Sequence, residues 1–125
     1  AEIAQSLIAP RLRRTSSGPM QQVREHGLLE AYGRFVVTRT DQFYVCRLDL
    51  GALDPRYVHM PSSRGEKDYM CDRWLVAPRE LLMGTLDILQ PVVVTPEKYF
   101  GFRGNPEQLA ARRYTEAGVL SRIRT

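Results

Sequence analysis

Lysine is nearly missing from this chain: Lys67 and Lys98 stand against sixteen arginines in 125 residues. Almost all positive charge therefore sits on flat, five-donor guanidinium groups, which grip phosphate or carboxylate in pairs and stack on rings. A GC-rich genome produces the same bias and is the plain alternative. Long apolar runs are also missing. The longest, 81–89 and 92–94, are short and interrupted by Gly84, Thr85, Asp87 and Pro91. They fall short of the roughly 18 to 20 residues a bilayer requires, so no membrane span is expected.

Cysteine is scarce too. Cys46 and Cys71 form no CxxC pair, which excludes a cysteine metal framework and a dense disulfide scaffold. Cys46 lies in the apolar run FYVC and reads as a buried free thiol, with a Cys46–Cys71 disulfide as the alternative. The only histidines, His26 and His59, occur in no GxSxG or HExxH setting, and neither GxxxxGK[ST] nor GxGxxG occurs. Asp49, Asp54, Glu66, Asp68 and Asp72 follow no cation-loop pattern and read as solvated turn acids. No cofactor, metal or small-molecule substrate is expected.

What is present is a core-forming composition: 43% hydrophobic, with eleven aromatic residues, six of them Tyr. This excludes wholesale disorder and suits one compact domain. The charge is unevenly placed. Residues 1–40 hold six Arg against three Glu, a net of +3; residues 41–98 carry −2; residues 99–125 hold five Arg against two Glu, again +3. An electrostatic partner is expected to meet the two ends.

The predicted organisation is a basic arm over residues 1–18, a single α+β domain over 19–118, and a basic C-terminal tail over 119–125. The arm, with three Arg, three Ser and one acid, has the composition of an organellar presequence or its remnant, which points to the mitochondrion. A plain basic arm is the other reading. Pro19 suits a helix start, with Met20, Val23, Leu28 and Ala31 on one face and Gly33 as its stop. Residues 34–40 (RFVVTRT) and 43–50 (FYVCRLDL) read as a hairpin, 57–60 as a short edge strand, 61–68 as a loop and 69–77 (YMCDRWLVA) as a further strand.

Pro78 opens a predicted helix whose Leu82, Leu86 and Leu89 face Trp74, Leu75 and Val76, until Pro91 ends it. Residues 92–95 read as a short apolar strand. Asn105-Pro106-Glu107 is a cap, proline and acid in order, and starts a last helix running to Gly118. The fold expected is a small mixed or antiparallel sheet with helices packed on one side and basic, extended termini.

Arginine clusters are the chemistry that remains: Arg11, Arg13 and Arg14 in the arm, Arg103 beside Tyr99, Phe100 and Phe102, Arg112 and Arg113 on the last helix, and Arg122 and Arg124 in the tail. Cations interleaved with rings suit single-stranded RNA, charge for the backbone and flat faces for the bases. Successive helical residues point about 100° apart, so Arg112 and Arg113 cannot both face a core served by Leu109, Ala110 and Tyr114.

The function expected is a non-enzymatic structural subunit of a large organellar ribonucleoprotein, a mitochondrial ribosome first, contacting ribosomal RNA and neighbouring protein subunits. One alternative is a soluble accessory subunit of a respiratory-type protein complex, its arginines pairing with acidic neighbours. The other is a small enzyme with a Cys or His centre, drawing on Cys46, Cys71 or His59.

Overall fold

The computed structural model describes residues 18–39, 41, 47–61 and 73–125. It opens on α1 (Pro19–Glu25) and α2 (Leu28–Ala31), where one continuous helix is predicted. The break falls at Gly27, whose φ of 64° lies in the left-handed region that a side chain resists. Proline at the first turn starts α1 as expected. Its cap comes from far along the chain: Met20 N donates to both carboxylate oxygens of Asp87, at 3.3 and 3.2 Å. Asp87→Ala should cost roughly 1 kcal/mol, the scale of a lost N-cap, and Asp87→Asn less, since it keeps an acceptor. Thermal denaturation checks this; an Asp87→Ala protein melting with the parent would show that α1 needs no cap.

The strands β1 (Arg34–Thr38), β2 (Val58–His59), β3 (Trp74–Pro78) and β4 (Ile123–Arg124) form one open, mixed sheet in the order β1-β3-β2-β4. β3 pairs antiparallel with β1 and with β2, while β4 lies parallel to β2. With α3 (Arg79–Leu86), α4 (Gln90–Val94) and α5 (Pro106–Glu116), this is the α+β class read from the sequence.

Strand alternation sorts the side chains. Phe35 opposite Ala77, Val37 opposite Leu75, and Val58 opposite Ile123 point to one face, together with Met60. On that face Met20 and Val23 of α1, Leu82 of α3, Tyr114 of α5 and Val119 complete the core. The other face holds Arg34, Val36, Thr38, His59, Trp74, Val76, Pro78 and Arg124. Arg34 reaches from it to the carbonyls of Leu50 and Leu53, at 2.8 and 2.9 Å.

Several expectations are corrected. Trp74 does not pack on the α3 core face; it is half-buried on the opposite side of the sheet, and Leu75 and Ala77 take the place given to it. β1 pairs with β3; of the predicted partner run 43–50, residues 43–46 lie outside the described residues, 47–49 carry no strand, and Leu50–Ala52 is a 3₁₀ turn closed by Gly51 N donating to Asp49 Oδ1 at 3.0 Å. β2 is an interior strand, because β4 lies on its far side and Met60 N donates to the Arg124 carbonyl at 3.1 Å.

α3 stops at Leu86, leaving Leu89 exposed. Residues 92–95 belong to α4 and its cap: Pro91 sits in the first turn, and both the Thr95 amide and hydroxyl donate to its carbonyl at 2.9 Å. Those bonds override the strand preference of three consecutive valines. α5 starts as predicted, with a reciprocal box in which Gln108 N donates to Asn105 Oδ1 at 2.8 Å and Asn105 N donates to Gln108 Oε1 at 3.0 Å.

Residues 119–125 are not a tail leaving the domain. They carry a core valine, a 3₁₀ turn at Leu120–Arg122 and β4. The arm over 1–17, the 62–68 loop, Phe43, Cys46 and Cys71 lie outside the described residues.

Candidate nucleic-acid interface

Two arginine–tyrosine clusters emerge. The first is built where the chain turns into β2. Asp54 and Pro55 make the turn, with Tyr57 N donating to the Asp54 carbonyl at 3.2 Å and Arg56 N to Asp54 Oδ1 at 3.0 Å. Arg56 returns its Nε and Nη2 to the same carboxylate, at 3.0 and 2.7 Å. These bonds, from the Arg56 side chain first and its backbone second, hold the Asp54 carboxyl far below the usual carboxylate range.

The C-terminal residues then arrive alongside. Arg122 donates Nε to the Arg56 carbonyl at 3.1 Å, and the parallel register sets Arg124 beside His59. The result is Tyr57 ringed by three guanidinium groups: Arg124 at 3.9 Å from the ring centroid, Arg56 and Arg122 each at 5.7 Å. Among the described residues, one carboxylate is ion-paired with these three cations, Asp54 with Arg56.

The second cluster couples α5 to the preceding loop. Arg112 donates Nε to Glu116 Oε1 at 2.9 Å, Arg113 pairs with Glu116 Oε2, and Tyr99 donates its hydroxyl to that same oxygen at 3.2 Å. Hydrogen bonds from Arg112 and then Arg113 draw the Glu116 pKa down. Both guanidinium groups lie over Tyr99, at 5.5 and 6.0 Å. Arg112 is exposed; Arg113 is turned inward and also donates Nε to the Ile88 carbonyl at 3.2 Å, tying α5 to the turn after α3. Here two cations share one acid.

The structure thus brings Arg122 and Arg124 together in one cluster and Arg112 and Arg113 in another, while Arg103 stands apart, exposed before α5. Arg11, Arg13 and Arg14 lie outside the described residues. Of the three rings near Arg103, Tyr99 is a half-buried member of the second cluster and Phe102 is half-buried, but Phe100 projects outward, 80% exposed. Arg56 and Tyr57 are the members that sequence reading missed. Their signal was an arginine adjacent to a tyrosine just after an Asp-Pro turn, hidden because the segment as a whole is acidic.

His59 uses Nε2 on the Asp54 carbonyl at 2.9 Å, and His26 caps the end of α1. Among the described residues no group of three or more His, Cys, Asp or Glu is placed to hold a metal ion, and no helix is long and apolar enough to cross a membrane. No family model, curated protein or solved structure matches this chain.

Proposed function

We propose that this chain is a non-enzymatic subunit of an organellar ribonucleoprotein, a mitochondrial ribosome first, that docks on RNA through its arginine–tyrosine clusters. The observation that carries the reading is the Tyr57 cluster, three guanidinium groups against one carboxylate. Two of these charges have no acid partner among the described residues and suit an anionic counterpart. Arg56 is committed to Asp54, whereas Arg122 and Arg124 bond backbone carbonyls, so their charges stay available to a phosphate beside a ring that can take a base. The carbonyl bond of Arg122 and the strand position of Arg124 set the spacing before any partner arrives, which lowers the ordering cost of binding.

Anisotropy titration of the full chain with a single-stranded oligouridine, repeated across a salt series, tests this. Each neutralised phosphate should contribute about 0.7 to the slope of log affinity on log salt. Arg56→Gln/Arg122→Gln/Arg124→Gln should flatten the slope by about 1.4, two phosphates' worth because Arg56 is already paired with Asp54, and Arg124→Gln alone, which removes no bond to Arg56, by about 0.7. Salt-independent association, or a triple variant with the parental slope, overturns the reading. In the native particle, ribonuclease should release the chain from its high-mass fraction; retention after digestion would favour a protein-only assembly.

A further inference from the structure

On the helical side of the molecule lies an open cleft of about 510 Å³, between α1 and the α3–α4 turn and bordered by Arg113 of α5 and by Ala117, which follows it. Its size falls in the range of cavities that take small ligands or a few side chains. The apolar wall comes from Met20, Met83, Ile88 and Pro91. Met83 is 54% exposed, a large apolar surface for a side chain not in a core. Thioethers are flexible and polarizable, and surfaces built on them repack around varied apolar partners.

The charges around this wall are unequal in their commitments. Asp87 is spent on the Met20 amide, and Arg113 on Glu116 and the Ile88 carbonyl. Arg24 has no acid partner among the described residues; its Nη2 rests against Met83 Sδ at 3.6 Å. A guanidinium parked on a thioether at the edge of an apolar cleft can take up a single carboxylate without breaking another ion pair.

We infer that this cleft docks a segment of a partner protein that carries bulky apolar side chains flanking one carboxylate. The apolar residues would enter between Met20, Met83 and Ile88 while the carboxylate meets Arg24. The chemistry selects against a polyanion: the Asp87 carboxylate lines the same cleft, and among the described residues no aromatic side chain lines it for a base to stack on and Arg24 is the one lining cation without an acid partner. One carboxylate fits that balance; a run of phosphates does not. The cleft shares Arg113 with the Tyr99 cluster but no residue with the Tyr57 cluster that carries the RNA reading, so the inference stands or falls apart from that reading.

The test is methyl NMR on the full chain labelled at methionine, titrated with a capped peptide of two leucines, one aspartate and two further leucines. The Met83 resonance should shift and saturate, with a smaller shift at the buried Met20 beside it, while Met60, equally buried but not lining the cleft, stays still. Arg24→Gln, at an exposed position, should weaken binding roughly tenfold, the scale of one charge-assisted hydrogen bond, without changing the melting temperature. Met83→Glu should abolish it. A peptide with lysine in place of aspartate should bind far more weakly.

Four results would overturn the inference. One is no shift at Met20 and Met83, and another is equal binding of the lysine peptide. The third is movement of the same methyls by oligouridine. The last is concentration-dependent self-association that Met83→Glu removes, which would make a second copy the occupant.

Discussion

Leu82→Ala should lower the melting temperature by about 10 °C or more, because removing a fully buried leucine costs roughly 2–5 kcal/mol and each kcal/mol shifts a domain of this size by several degrees. Leu82 is 0% exposed and belongs to the same buried core as Phe35, Val58 and Ala77, so little surrounding structure can collapse into the space. Trp74→Ala is the informative comparison. Trp74 is the larger side chain, yet it is half-buried on the other face of the sheet, and its loss should cost less than that of Leu82. Thermal unfolding followed by circular dichroism ranks the two. A Trp74→Ala protein less stable than Leu82→Ala would mean that the faces of β3 are assigned the wrong way round.

The second large effect is one of overpacking. Gly84 lies inside α3, where alanine would ordinarily add about 1 kcal/mol through helix propensity. A Cβ there would stand 2.5 Å from Val119 Cγ2. Val119 is buried, held by its N–H donating to the Tyr114 carbonyl at 2.9 Å, and stiff at χ1. Gly84→Ala should therefore destabilise the domain by about 1–3 kcal/mol. In a Val119→Ala background the obstacle is gone and the same substitution should become stabilising. That reversal of sign is the check, read from a double-mutant cycle of denaturant unfolding. If Gly84→Ala costs the same in both backgrounds, the close approach of α3 to Val119 is not what keeps the position a glycine.

Elements governed by their own residues were legible in advance: the proline start of α1, the Asn105 cap of α5, the β-rich stretch that became β1, and a strand ending near Pro78. What distant residues decide was not. Trp74 shows this at its sharpest. The strand was found, but alternation assigns side chains to two faces without saying which is inward, and a one-residue difference in parity reverses every assignment. The three valines of α4 carry strand propensity, and only hydrogen bonds closing on the Pro91 carbonyl turn them into a helix. Asp87 looks like any turn acid until α1 folds beside it.

The clusters divide in the same way. The arginine bias was visible in composition, and Arg112 with Arg113 was visible in helical phase. That Arg122 and Arg124 would meet Arg56 and Tyr57 depends on β4 joining β2 in parallel, a pairing across most of the domain that no local pattern encodes.

That pairing also imposes an order of events. Val58 cannot acquire its β4 neighbour until Ile123 has been made, so during synthesis β2 waits with one row of backbone groups unpartnered, and closing so long a loop comes late and slowly. Arg122 and Arg124 travel with that final strand. The ring of three guanidinium groups around Tyr57 therefore cannot form before β4 has joined β2: it comes into being at the step that completes the described sheet, and a molecule that displays it has already made that pairing.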